Sequence, residues 1–207
     1  MKKIVVLLLI FVLSLSIFAC TEKEEPAPVP DAEKIKVNST VEGNVHIVTV
    51  SGIPEKADDL MEFDFTDEYQ AAAAVMMALA VFEENPDLSI ALLDTVMGPE
   101  SPSKFDEDFL KNQFAQYPYV IRSYFDGATV DNDYTVSGDY VLRITENIYS
   151  RQENGYVKLW FKSSGADSER SFTLRQKEST KEWFLFSDTY KGMTAGIRLP
   201  KSLDKWA

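Results

Sequence analysis

One cysteine and one histidine in 207 residues remove several chemistries at once. Within these residues Cys20 has no second thiol to pair with, so the fold must be held by its own apolar core. A zinc site draws on several Cys and His ligands, and a single residue of each does not supply its usual set. Any Ser-His-Asp or Cys-His arrangement would have to use His46. That residue lies in the alternating stretch Val45-His46-Ile47-Val48-Thr49-Val50 and reads as a residue on a strand surface. Positive charge is also scarce: 21 Lys and Arg stand against 33 Asp and Glu, a formal net charge of −12. The balance argues against nucleic acid and against adsorption of the protein body on anionic lipid. No Gly-Lys-Ser/Thr follows Gly165-Ala166-Asp167-Ser168, so that glycine marks a turn and not a phosphate loop. Asp131-Asn132-Asp133 starts like a calcium loop. Its sixth position is Val136 and its twelfth Leu142, where such a loop needs glycine and a bidentate carboxylate. No metal and no other cofactor is expected.

What is present begins with the basic start Met1-Lys2-Lys3 and an apolar run over residues 4–18, interrupted by Ser14 and Ser16. Ile17-Phe18-Ala19-Cys20 closes it. A charged start, an apolar stretch and a small residue before the cleavage point make a signal peptide, and the run is shorter than the ~20 residues of a spanning helix. Ala19-Cys20 at its end resembles the lipobox of bacterial lipoproteins, in which a small residue precedes a lipidated cysteine. The resemblance implies cleavage before Cys20, acylation of its sulfur, and an extracytoplasmic protein held at the cell membrane by lipid. Residues 21–33, rich in Pro and Glu, cannot bury apolar area and read as a disordered tether. The expected division is a signal peptide over 1–19, lipidated Cys20 with its tether over 20–33, and one domain over 34–207.

Charge and period both change near Gly138. Residues 20–138 carry 7 basic and 24 acidic side chains, whereas residues 139–207 carry 12 basic and 9 acidic. Residues 34–41 and 45–52 read as a β-hairpin about Glu42-Gly43-Asn44. Thr66 offers an N-cap, and residues 71–82 are twelve successive apolar residues, the mark of a helix buried all round. Asn85-Pro86 starts a second helix, which Gly98-Pro99 ends, and a third follows Ser101-Pro102. Beyond Gly138 the period becomes two. Tyr140, Leu142, Ile144 and Ile148 mark one strand, Val157, Leu159 and Phe161 a second, Phe172 and Leu174 a third, and residues 183–186 a fourth. The fold class expected is α+β: an N-terminal hairpin, a three-helix segment with a buried Ala-rich helix, and a four-stranded antiparallel meander packed on the helices.

One surface carries a binding hypothesis. Tyr156, Lys158, Trp160 and Lys162 alternate with the apolar residues of one strand, and Thr173, Arg175 and Lys177 with those of the next. Rings interleaved with cations suit a sugar ring, an anionic polymer or a protein partner. Tyr156, Lys158, Trp160, Lys162 and Arg175 are therefore the candidate binding residues. Acidic clusters such as Asp58, Asp59 and Glu62 read as solvated faces, and no catalytic residue is singled out.

The pieces Tyr-Val-Ile-Arg-Ser-Tyr-Phe-Asp-Gly-Ala-Thr from Tyr119, Lys-Ser-Ser-Gly-Ala-Asp-Ser, Thr-Leu-Arg-Gln-Lys, Trp-Phe-Leu-Phe and Gly-Ile-Arg-Leu-Pro resemble an uncharacterised domain family of Gram-positive, clostridia-like exported lipoproteins. That likeness brings no assigned activity. Ala80-Val81-Phe82 through Leu92-Leu93 resembles the opening helices of nuclear-transport-factor-like (NTF2-like) domains, which implies a sheet curved into a cone around a pocket. The reading reached is a non-enzymatic, lipid-anchored envelope protein that binds an envelope protein or polysaccharide. A carboxylate-based envelope hydrolase and a purely structural lipoprotein are its alternatives.

Overall fold

Asp67 starts the helix on which the rest of the chain is arranged. Its carboxylate accepts from the backbone N–H groups of Tyr69 and Gln70, two of the donors a first helical turn leaves unpaired. The cap is thus Asp67 and not Thr66, whose own N–H and hydroxyl donate to Asp64. The helix α1 that follows runs over Glu68–Ala80, and every residue from Ala71 to Leu79 is buried. Such a helix has no solvent face, so other elements must enclose it.

The computed structural model describes residues 34–206. The expected signal peptide, Cys20 and the tether lie outside the described residues. After α1 come α2 (Pro86–Met97) and α3 (Lys104–Gln116). Asn85 caps α2 by accepting from the N–H of Leu88, with Pro86 in the first turn. Ser89 of α2 donates its hydroxyl to the Ala78 carbonyl at 2.6 Å, which ties α2 against the small-residue flank of α1. Residues 57–62 and 121–124 form short 3-10 turns.

The strands are β1 (Val37–Glu42), β2 (Val45–Val50), β3 (Tyr140–Thr145), β4 (Tyr156–Phe161), β5 (Arg170–Gln176) and β6 (Trp183–Leu185). They form one antiparallel sheet in the order β1-β2-β3-β4-β5-β6, curved into a half-barrel. This corrects the expected four-stranded meander with a separate hairpin and a three-helix segment; the cone of the nuclear-transport-factor-like domains falls with it. The hairpin is part of the sheet because β2 pairs with β3 along its whole length, from Val45↔Thr145 to Val50↔Tyr140. Left alone, a two-stranded hairpin would expose Val48 and Val50, which are fully buried here. Joining β3 pairs the outer backbone groups of β2 and makes it part of the sheet whose inner face packs with α1 in one core, where Val48 and Val50 are buried.

The β3–β4 junction is narrow, with only Ile144↔Phe161 and Thr145↔Trp160 in register. The other half of β3 opens away from β4 and takes Phe125 as a bridge partner of Leu142, and the N–H of Asp126 donates to Val141. Ile148, expected at the end of β3, sits instead in the following turn and is 84% exposed. Leu142, Ile144, Val157, Leu159, Phe161, Phe172 and Leu174 join α1 in one core. Alternate residues of β4 and β5 are thereby turned to the other face.

Candidate functional site

Period-two geometry places the binding candidates on the outer face of β4 and β5. Tyr156 stands opposite Arg175, Lys158 opposite Thr173, and Trp160 opposite Ser171. The Arg175 guanidinium lies 5.5 Å from the centre of the Tyr156 ring, and that ring packs edge to face with Phe186 at 5.0 Å between centroids. Lys158 covers Trp160 with its ammonium 4.9 Å from the ring centre. Trp160 is half-buried, and its indole N–H is enclosed with no hydrogen-bond partner among the described residues. Lys162 falls one residue past the end of β4 and is exposed. The structure thus divides the five candidates. Tyr156 and Arg175 open into a groove, Lys158 and Trp160 close on each other, and Lys162 stands apart.

The groove encloses about 600 Å³ between the turn after α2 and the adjoining ends of β4, β5 and β6. Pro99 and Glu100 form one wall; Tyr156, Arg175, Lys177 and Phe186 form the other. Gly98 makes the first wall possible. Its φ of +63° lies where L side chains rarely go, and a Cβ there would come within 2.6 Å of the Phe184 ring. Glycine lets the end of α2 close over Phe184. Glu100, Glu178, Lys181, Phe184 and Phe186 are among the groove residues that sequence reasoning missed. The alternation of Phe184 and Phe186 with Trp183 and Leu185 was a usable signal for the rings; nothing local marked Glu100.

Most cations away from this face pair with carboxylates. Arg122, Arg143, Arg151, Lys191, Arg198 and Lys201 all sit on carboxylates. Among the described residues, Lys158, Lys162, Arg175, Lys177 and Lys181 form no ion pair. In a chain with twelve more acids than bases, Arg175, Lys177 and Lys181 bring three cations without carboxylate partners to one groove, where they favour an anion.

A second cluster surrounds the histidine. His46 does not lie on an open strand surface: it shares the inner face with Val48 and stacks on Tyr69 of α1, with 3.4 Å between ring centroids and 8° between planes. The Tyr69 hydroxyl donates to Glu146. Arg151 forks onto Glu146 at 2.8 and 2.7 Å and also reaches Glu68. Burial raises the pKa of the Glu146 carboxyl, but the hydrogen bonds from Arg151 and Tyr69 outweigh it and leave the value below the usual 4.5. Burial, then the bond to Glu146, pushes the Tyr69 phenol up. With both carboxylates committed to Arg151, the cluster clasps the start of α1 to the β3–β4 loop.

A lowered carboxyl pKa stabilises the fold above the unfolded value and stops doing so as pH falls through the folded one. Glu146→Gln should therefore cost about 1 kcal/mol at pH 7, a value discounted for partial exposure. The deficit should shrink as pH drops below about 4.5. Urea melts of both proteins at pH 7 and pH 3.5 check this; a deficit that does not change with pH would contradict it.

Among the described residues, no group of three or more His, Cys, Asp or Glu side chains is placed to hold a metal. The acids of the calcium-like loop are engaged elsewhere, Asp131 with Lys201 at 3.0 Å and Asp133 with the N–H of Ser202 at 2.9 Å. A family model described as Domain of unknown function (DUF6935) matches residues 52–201. The match reaches back well beyond the C-terminal stretches that suggested an uncharacterised family, and it begins just after β2. No curated protein and no solved structure matches the chain.

Proposed function

The chain belongs to the DUF6935 family, and we propose that it is a lipid-anchored extracytoplasmic binding protein without enzymatic activity. It presents the outer face of β4 and β5, with the adjoining groove, to a ligand or partner in the cell envelope. One observation carries the reading: a groove of about 600 Å³ in which an aromatic wall meets cations that have no carboxylate partners. That volume falls in the range of ligand sites, roughly 300–1,000 Å³. Support for the anchor comes from the order of residues 1–20, a basic start and an apolar run ending in Ala19-Cys20.

Tyr156 and Arg175 are the substitutions that test the groove, because neither reaches the core. The double variant Tyr156→Ala/Arg175→Ala should keep its circular dichroism spectrum and thermal midpoint. It should co-sediment with purified cell-envelope fragments at least about tenfold less than the unaltered protein, the loss of a ring contact and a charge contact together. Equal co-sedimentation would remove this groove as the binding surface.

A further inference from the structure

We infer that the groove takes an acidic sugar, a glycan unit that carries a carboxylate or a phosphate. This rests on the groove being the binding surface and assigns the chemistry of its ligand.

Arg175, Lys177 and Lys181 line the groove with no carboxylate partner among the described residues. A guanidinium is a planar fork of donors that matches a carboxylate or phosphate with two parallel bonds. Arg175 is exposed and is held in place over the Tyr156 ring, so less of its freedom is lost when an anion arrives. The groove is not uniformly positive, because Glu100 and Glu178 line it as well. An acidic peptide or a bare polyanion would bring a row of negative charges against those two carboxylates. A sugar brings one acid for the cations and several hydroxyl groups, which donate to carboxylates. Tyr156 and Phe186, both half-buried, together supply an apolar wall for the C–H groups of a pyranose.

Isothermal titration of the full chain with four probes decides the matter. They are a glucuronate-containing tetrasaccharide, glucose 1-phosphate, neutral maltotetraose, and inorganic polyphosphate. One or both acidic sugars should bind at least tenfold more tightly than maltotetraose and weaken between 50 and 300 mM salt, as a site built on Arg and Lys requires. Whichever of the two binds identifies the acid. Arg175→Ala should reduce that affinity at least tenfold, whereas Lys205→Ala, an exposed lysine outside the groove, should leave it unchanged. Maltotetraose binding as tightly, or polyphosphate alone binding, overturns the acidic-sugar assignment. So does silence from all four probes. In each of those cases the groove still stands as a binding surface if Tyr156→Ala/Arg175→Ala reduces co-sedimentation with envelope fragments; if co-sedimentation is unchanged, both readings fall.

Discussion

Cys20→Ser is expected to move the protein from the membrane fraction into the medium, with only a minor part left behind. On the proposed lipoprotein reading the lipid would hang from a thioether at Cys20, which a serine hydroxyl cannot form. Each buried methylene of an acyl chain contributes about 0.8 kcal/mol, so one chain holds a protein marginally and two or more hold it firmly. Among the described residues no helix is long and apolar enough to cross a membrane, and a net charge of −12 repels an anionic leaflet. Fractionation of cells carrying the two forms gives the answer, and intact mass should show added acyl groups on the unaltered form alone. A membrane-bound Cys20→Ser protein, or an unmodified thiol on the native one, would end the lipoprotein reading.

The second large effect is structural and lies far from the anchor. Gly165 is buried; its N–H donates to the Ser163 hydroxyl at 3.0 Å and its carbonyl accepts from Arg198 at 2.9 Å. A Cβ there would collide with the Tyr134 hydroxyl and stand 2.7 Å from Ile197. Tyr134 cannot yield cheaply. It is fully buried, stacked on Tyr119 at 5.5 Å, and its hydroxyl donates to the Arg198 carbonyl at 2.9 Å. Overpacking and a displaced buried hydrogen bond together should cost about 3 kcal/mol for Gly165→Ala. In a domain of this size that lowers the thermal midpoint by roughly 6–12 °C. Gly192→Ala is the comparison, since a Cβ there meets nothing within 4 Å; its stability should change by less than about 1 kcal/mol. Equal midpoints for the two variants would show that the packing at Gly165 is not as tight as described.

The features legible in the residues are those with short range. Asn85-Pro86 marked the start of α2, the twelve apolar residues marked a helix without a solvent face, and alternation put Tyr156 and Arg175 on one side of their strands. Even at short range, neighbouring donors and acceptors competed: Asp67 took the cap that Thr66 could have taken, because the Thr66 hydroxyl was already spent on Asp64. His46 looked like a surface residue because alternation does not say which face of β2 meets a helix.

Partnership across long separations was not legible. Nothing in residues 45–50 names residues 140–145 as their partner, and a hairpin is a complete local pattern on its own. Only burial of Val48 and Val50 against α1, together with pairing of the outer edge of β2, turns a hairpin and four strands into one six-stranded sheet. The groove has the same origin. Strand period supplied its aromatic and cationic wall, but Glu100 reached it because Gly98 lets the end of α2 fold over Phe184. Period and capping act over a few residues and are written in the chain itself. Which faces meet depends on shared burial, a property of the assembled core and of no single segment.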